Sequence, residues 1–201
     1  MHKRFAGWTS GGALAMLLMA TPALAALKPG AAAPDFHAKA SLAGKEFNFS
    51  LAQALKKGPV VVYFYPSAYT GGCDLEAHTF AANKARFEAA GATIIGVSAD
   101  SIGRLDAFSA DPSYCAGKFP VASDADGKIA ASYDLKETAA QPGVNDVRGV
   151  AIDHGFIART TFVIGRDGKI IATLSSEDDH LRPDQHVTKS LAIVQGLHKA
   201  S

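Results

Sequence analysis

The chain has 201 residues, enough for one ordinary domain, and 48% hydrophobic content with mixed charge is typical of a soluble globular protein. A formal charge of +1, with no block of Lys or Arg past the first residues, leaves no footprint for nucleic acid and no polybasic membrane patch. Two cysteines, Cys73 and Cys115, are too few for a disulfide-stapled scaffold. Small-molecule chemistry or protein partners remain.

The chain opens with the basic MHKR, runs into the apolar GGALAMLLMA and reaches ATPALA, with Ala23 and Ala25 in an A-x-A arrangement. That is the layout of a cleavable signal peptide. Its apolar stretch is far short of the ~20 residues of a membrane-spanning helix. The expectation is a leader over residues 1–25, cleavage after Ala25, and one domain over residues 26–201 with no stable membrane association. Export, in a bacterium to the periplasm, puts the two cysteines where disulfides form and persist.

Residues 27–49 are a Pro-, Ala- and Gly-rich lead-in with alternating apolar positions. Ser50 is suited to cap a short helix, LAQALKKG, which Gly58 ends. PVVVYFY has no alternation, the pattern of a strand buried on both faces, and Pro66 stops it. From about Cys73 a helix is predicted, with Leu75, His78, Thr79, Ala82, Ala85 and Phe87 near helical spacing, and Gly91 closes it. ATIIGVSAD is a second buried strand, which completes a βαβ unit. Then come a helix interrupted near Pro112, a short strand in FPVASD, a short helix in GKIAASYDL, and an irregular stretch from Lys136 to about Ala158. TTFVIGRDGKIIATL reads as a hairpin turning at Asp167 and Gly168, and an amphipathic helix from Asp184 closes the chain. This order predicts an α/β fold with a mixed central sheet flanked by helices on both faces.

The loop after the first buried strand, YFYPSAYTGGCDLE, places Cys73 in the first turn of a helix, beyond the carboxyl end of a central strand. Unpaired N–H groups and the positive end of the helix dipole favour a thiolate there, by roughly 0.3 to 2 kcal/mol. The thiolate is the nucleophilic form of cysteine, so a lowered pKa and a reactive Cys73 are expected.

Pro66, Thr70 and Cys73 match P-x-x-x-T-x-x-C, and with that motif the chain resembles the peroxiredoxins, closest to the bacterioferritin comigratory protein or peroxiredoxin Q subgroup. LKPGAAAPDF, VVVYFYP, GVSAD, FPVASDADGKIAASY and ARTTFVIGRDGKI resemble the subgroup in the same order, so nearly all of the mature chain is covered. The resemblance implies a thioredoxin-like fold and reduction of hydrogen peroxide or organic hydroperoxides, with a thioredoxin-like or other thiol reductant as partner and no cofactor or metal. It implies that Arg159 and the helix N-terminus hold Cys73 as thiolate, that Thr70 and nearby N–H groups bind the peroxide oxygens, and that Pro66 shields the pocket. It makes Cys115 the candidate resolving cysteine, although Cys73 cycling alone stays open, and it favours a monomer. Gly71, Asp74 and Tyr69 depart from the subgroup's common residues. Asp74 is expected to oppose a low pKa at Cys73, and Glu76 to be an exposed first-turn carboxylate or a site residue.

Other signals are weaker. Cys73 and His78 could begin a copper or zinc site of an exported metal carrier, but a closed site needs about four ligands. His154, His180 and His186 are scattered and read as surface residues. SDADG lacks the later spacing of a calcium loop. A dithiol exchanger would need C-x-x-C, and Thr70 stands at the first position of TGGC.

Overall fold

In the computed structural model, which describes residues 26–200, the alternating lead-in forms a β-hairpin that the sequence left unassigned. Strands β1 (His37–Leu42) and β2 (Lys45–Ser50) pair antiparallel across Ala43 and Gly44, whose φ angles are 53° and 76°. A two-residue turn between twisted strands requires φ > 0 at both positions, and an Ala in the first hides that turn from a search for Asn-Gly or Asp-Gly. The expected leader over residues 1–25 lies outside the described residues.

Ser50 caps α1 (Leu51–Leu55), its hydroxyl accepting the Gln53 amide at 3.3 Å, as expected. β3 (Val60–Phe64) follows with every residue buried. α2 (Gly71–Ala89) begins two residues before Cys73, with Thr70 at its N-cap. Its inner face differs from the expected one: Cys73, Glu76, Ala77, Phe80, Ala81 and Phe87 are buried, whereas Leu75 and His78 point outward. Alanines on every side give α2 almost no directional apolar pattern, so the docking of its N-terminus decides which face turns in.

The crossover leads to β4 (Thr93–Ser98), parallel to β3, and then to α3 (Ile102–Ala110), β5 (Val121–Ser123) and α4 (Lys128–Ser132). α3 stops before Pro112, and Cys115 sits in the tight turns of residues 112–117 rather than on a helix. Residues 136–158 form a long loop pinned by isolated bridges between Glu137 and Ile157 and between Asn145 and Ala151. β6 (Thr160–Ile164) and β7 (Ile170–Ser175) make the expected hairpin, and α5 (Pro183–Ala200) completes the fold.

The sheet order is β2-β1-β5-β4-β3-β6-β7, a mixed sheet of thioredoxin-like α/β type. On one face Tyr63 and Tyr65 pack with Phe80 of α2, Phe108 of α3 and Val187 of α5. On the other, Val62 and Phe64 pack with Ala54 of α1 and Ala130 of α4. Phe64 pairs with Thr160 across antiparallel β3 and β6, so the chain leaves β3 beside the point where it enters β6. That register positions the site.

Candidate active site

Because β3 ends beside the start of β6, the loop into α2 and residue Arg159 face the same spot. Arg159 Nη2 donates to Cys73 Sγ at 3.2 Å across 86 residues of sequence, and its Nη1 donates to Glu76 Oε2. Gly72 leaves room for the guanidinium: a Cβ there would lie 3.2 Å from Nη2 and 3.3 Å from the Pro183 ring. The hydroxyl of Thr70 does not cap α2 but donates to the Ser67 carbonyl at 2.8 Å, which closes the loop on itself.

Asp100, two residues past the end of β4, anchors this loop. Its Oδ1 accepts from Ser67 Oγ at 2.8 Å, and its Oδ2 accepts from the Ala68 amide and Ser98 Oγ, both at 2.7 Å. Tyr69 takes φ 60°, a conformation a bulky residue adopts only under constraint. The constraint is visible: its ring contacts Phe108 and Tyr114 edge-on, the Arg148 guanidinium stacks 3.2 Å from the ring centroid, and the Val147 amide donates to its carbonyl at 2.9 Å.

Burial pushes the Cys73 thiol above its ordinary value, against downward pulls from Arg159, the Thr70 hydroxyl and the Ser67 backbone. The expected low pKa is therefore not the property of the closed, desolvated pocket, where loss of hydration outweighs one cation. Glu76 is wholly buried, and burial lifts its carboxyl to about 7 despite Arg159. Arg159 is thus shared between two acids, and a proton on Glu76 leaves the guanidinium to Cys73. Burial lifts Asp74 to about 6. Its charge bears on Cys115, whose buried thiol is raised well above the usual value, first by burial and then by Asp111 and Asp74.

The AhpC/TSA family pattern matches residues 29–173, well over half of the chain. The chain belongs to the AhpC/TSA family. A protein named as a peroxiredoxin in Mycobacterium tuberculosis is 33% identical over 147 residues, covering 73% of this chain and 84% of its own length. The crystal structure of peroxidoxin BcpB from Mycobacterium tuberculosis superposes with a TM-score of 0.69 at 29% identity, over 85% of this chain and 97% of that one. The bacterioferritin comigratory protein of Xanthomonas campestris, studied for alkyl peroxide reduction, gives 0.61 at 28% identity, over 80% and 91%.

Within this AhpC/TSA chain the structure brings Cys73, Thr70 and Arg159 together, with half-buried Pro66 at the start of the same loop. Cys115 is a free, buried thiol in the same core cluster as Cys73, also free. Three sequence readings need correction. Of the two readings of Glu76, the exposed carboxylate is the one corrected: the side chain is buried beside the site as a partner of Arg159, because the start of α2 turns it inward. His186 is fully buried between Thr161 Oγ1 at 3.0 Å and Ser176 Oγ at 2.9 Å. His154 is mostly covered and lies against Asp100, leaving His180 as the exposed one of the three. Asp100 and Ser67 went unnoticed; the only trace of them in sequence is polar residues flanking runs that otherwise read as buried strand.

Proposed function

We propose that the protein reduces hydrogen peroxide and organic hydroperoxides through the sulfur of Cys73. The observation that carries this reading is the Arg159 guanidinium bonded to a cysteine sulfur within the first turn of α2. Membership of the family makes the protein a thiol-dependent peroxidase, and this arrangement is the place for the reaction.

In the proposed reaction Glu76 takes up a proton as Cys73 becomes thiolate, so the Arg159 charge is available to sulfur. The thiolate attacks one peroxide oxygen. An S–O bond forms, the O–O bond breaks, and its electron pair leaves on the other oxygen, which gains a proton and departs as water or an alcohol. Arg159, the N–H groups at the start of α2 and the Thr70 hydroxyl, once it rotates off the Ser67 carbonyl, stabilise charge moving onto that oxygen, and Pro66 limits access of water. Cys73 becomes a sulfenic acid. The Cys115 thiol then displaces its oxygen as water, leaving a Cys73 to Cys115 disulfide that an external dithiol reduces.

Both cysteines are buried, one in the first turn of α2 and the other in the turns of residues 112–117, and on this reading those two segments rearrange locally to bring the sulfurs into disulfide geometry. On this reading one chain is a complete catalytic unit and acts as a monomer. The leader reading of residues 1–25 places it outside the cytoplasm, with a thioredoxin-like reductant of that compartment. The metal-carrier reading finds no support, since among the described residues no group of three or more His, Cys, Asp or Glu could hold an ion.

Mass spectrometry of the mature chain under non-reducing conditions, before and after one equivalent of hydrogen peroxide, tests the proposal. The expected products are a Cys73 to Cys115 disulfide in wild type and a Cys73 sulfenic acid in Cys115→Ser. Cys73 left reduced would overturn the peroxidase reading, and oxidation without that disulfide would overturn the role of Cys115.

A further inference from the structure

The stretch of residues 136–158 reads in sequence as irregular. Besides the Val147 and Arg148 contacts to Tyr69, it reaches the floor of the Cys73 loop through Asp146 and His154. Asp146 Oδ2 accepts from Arg104 Nη2 at 2.8 Å, and the same nitrogen donates to the Ala68 carbonyl at 2.9 Å. Eight residues later, His154 Nε2 lies 2.9 Å from Asp100 Oδ1, and its Nδ1 lies 2.7 Å from the Gly155 carbonyl oxygen.

A carbonyl and a carboxylate oxygen both only accept, so both ring nitrogens of His154 donate, and the ring that satisfies both partners is the imidazolium. The charges facing it agree: Asp100 lies against it and Asp153 is adjacent in sequence, while Arg104, a further partner of the same carboxylate, has its Nε 2.9 Å from Asp100 Oδ1 without an aligned hydrogen. Burial lowers the affinity of His154 for its second proton, but Asp100 and the Gly155 carbonyl outweigh it and leave the pKa raised. Burial pushes the Asp100 carboxyl up, and hydrogen bonds led by that from His154 bring it below its ordinary value.

We infer that His154 is a positioning residue for Cys73. It holds Asp100 on Ser67 and Ala68, and through Ser67, which receives the Thr70 hydroxyl, it sets the loop from which α2 presents the sulfur. The Asp100 carboxylate has five close polar neighbours, and His154 is the one supplied by the distant loop, so a substitution there loosens the clamp without touching Cys73, Thr70 or Arg159. The role deepens the peroxidase reading and rests on it.

His154→Gln and His154→Asn separate this role from bulk packing. The Gln amide nitrogen mimics Nε2 and still reaches Asp100; the Asn nitrogen mimics Nδ1 and keeps only Gly155. The mature protein carrying each variant is followed by the apparent pKa of Cys73, its rate of alkylation by iodoacetamide and its rate of oxidation by hydrogen peroxide. The expected result is a loss of about tenfold or more in both rates for His154→Asn, with the Cys73 pKa raised by about one unit, and rates within about threefold of wild type for His154→Gln. A wild type that alkylates but ignores peroxide would end the peroxidase reading, while the alkylation rates would still decide the positioning role. Equal Cys73 pKa and equal alkylation in wild type and both variants, whatever their melting temperatures, would overturn the inference.

Discussion

Replacing Arg159 by Lys keeps a positive charge but cannot keep both contacts, because one ammonium on a flexible stem replaces a planar fork that reaches Cys73 Sγ at 3.2 Å and Glu76 at once. A hydrogen bond to a charged group is worth roughly 1.5 to 3 kcal/mol, so loss of the sulfur contact should raise the Cys73 pKa by about one to two units. At pH near 7 the rate of oxidation by peroxide should fall by roughly 10 to 100-fold. Glu76 complicates the reading only on the alkaline side. Its carboxyl, pushed up by burial to about 7, is protonated at pH 6 and loses little when the guanidinium is replaced, whereas at pH 8 it is a buried anion held by one flexible ammonium instead of a fixed fork. The assay is therefore quenched-flow oxidation read by mass spectrometry at pH 6 and pH 8, beside urea unfolding at both. The kinetic loss should appear at both pH values and the stability loss mainly at pH 8. An Arg159→Lys variant with an unchanged Cys73 pKa and unchanged oxidation rate would refute the idea that this guanidinium sustains the thiolate.

Two more outcomes concern stability. Burial, followed by the nearby Arg159 charge, lowers the pKa of His186 from 6.5 to about 4. The unfolded chain therefore binds the extra proton first, and folding stability drops as pH falls from 6.5 towards 4, by roughly 3 kcal/mol at most. Urea unfolding at pH 7 and pH 4.5 should show this slope in wild type and a shallower one in His186→Gln; parallel slopes would remove His186 as the cause. In β4, a Cβ at Gly96 would stand 2.7 Å from the Tyr63 phenol, so Gly96→Ala should cost about 1 to 3 kcal/mol in thermal unfolding, and an unshifted midpoint would mean that the ring yields freely.

The parts of the fold that could be read from sequence are those in which one local pattern dominates. β3 has apolar or aromatic side chains on both faces, and the β6–β7 hairpin announces its turn with Asp167-Gly168, so both stand where the sequence puts them. The β1–β2 hairpin was missed because its turn uses Ala43, and the face of α2 was misassigned because small residues surround the helix. Here tertiary packing chooses among alternatives that are locally equal.

The same distinction separates the legible from the hidden parts of the site. Cys73, Thr70 and Pro66 lie in one short loop, so a motif can carry them, and Arg159 sits at the edge of a strand where a buried cation stands out. Glu76, Asp100 and His154 carry no such mark. Each has meaning only through a partner from another segment: Glu76 through Arg159, Asp100 through Ser67 and Ala68, His154 through Asp100. A charged or polar residue isolated in sequence is most economically read as solvated, and burial with a partner is what reverses that reading. The Cys73 pKa makes the same point for energetics. The sequence displays the charges and the helix end that favour a thiolate, but it does not display the desolvation that opposes them, and in the closed pocket desolvation is the larger effect. In the proposed reaction, proton uptake by Glu76 offsets that cost, because it frees the Arg159 charge for the sulfur without admitting water.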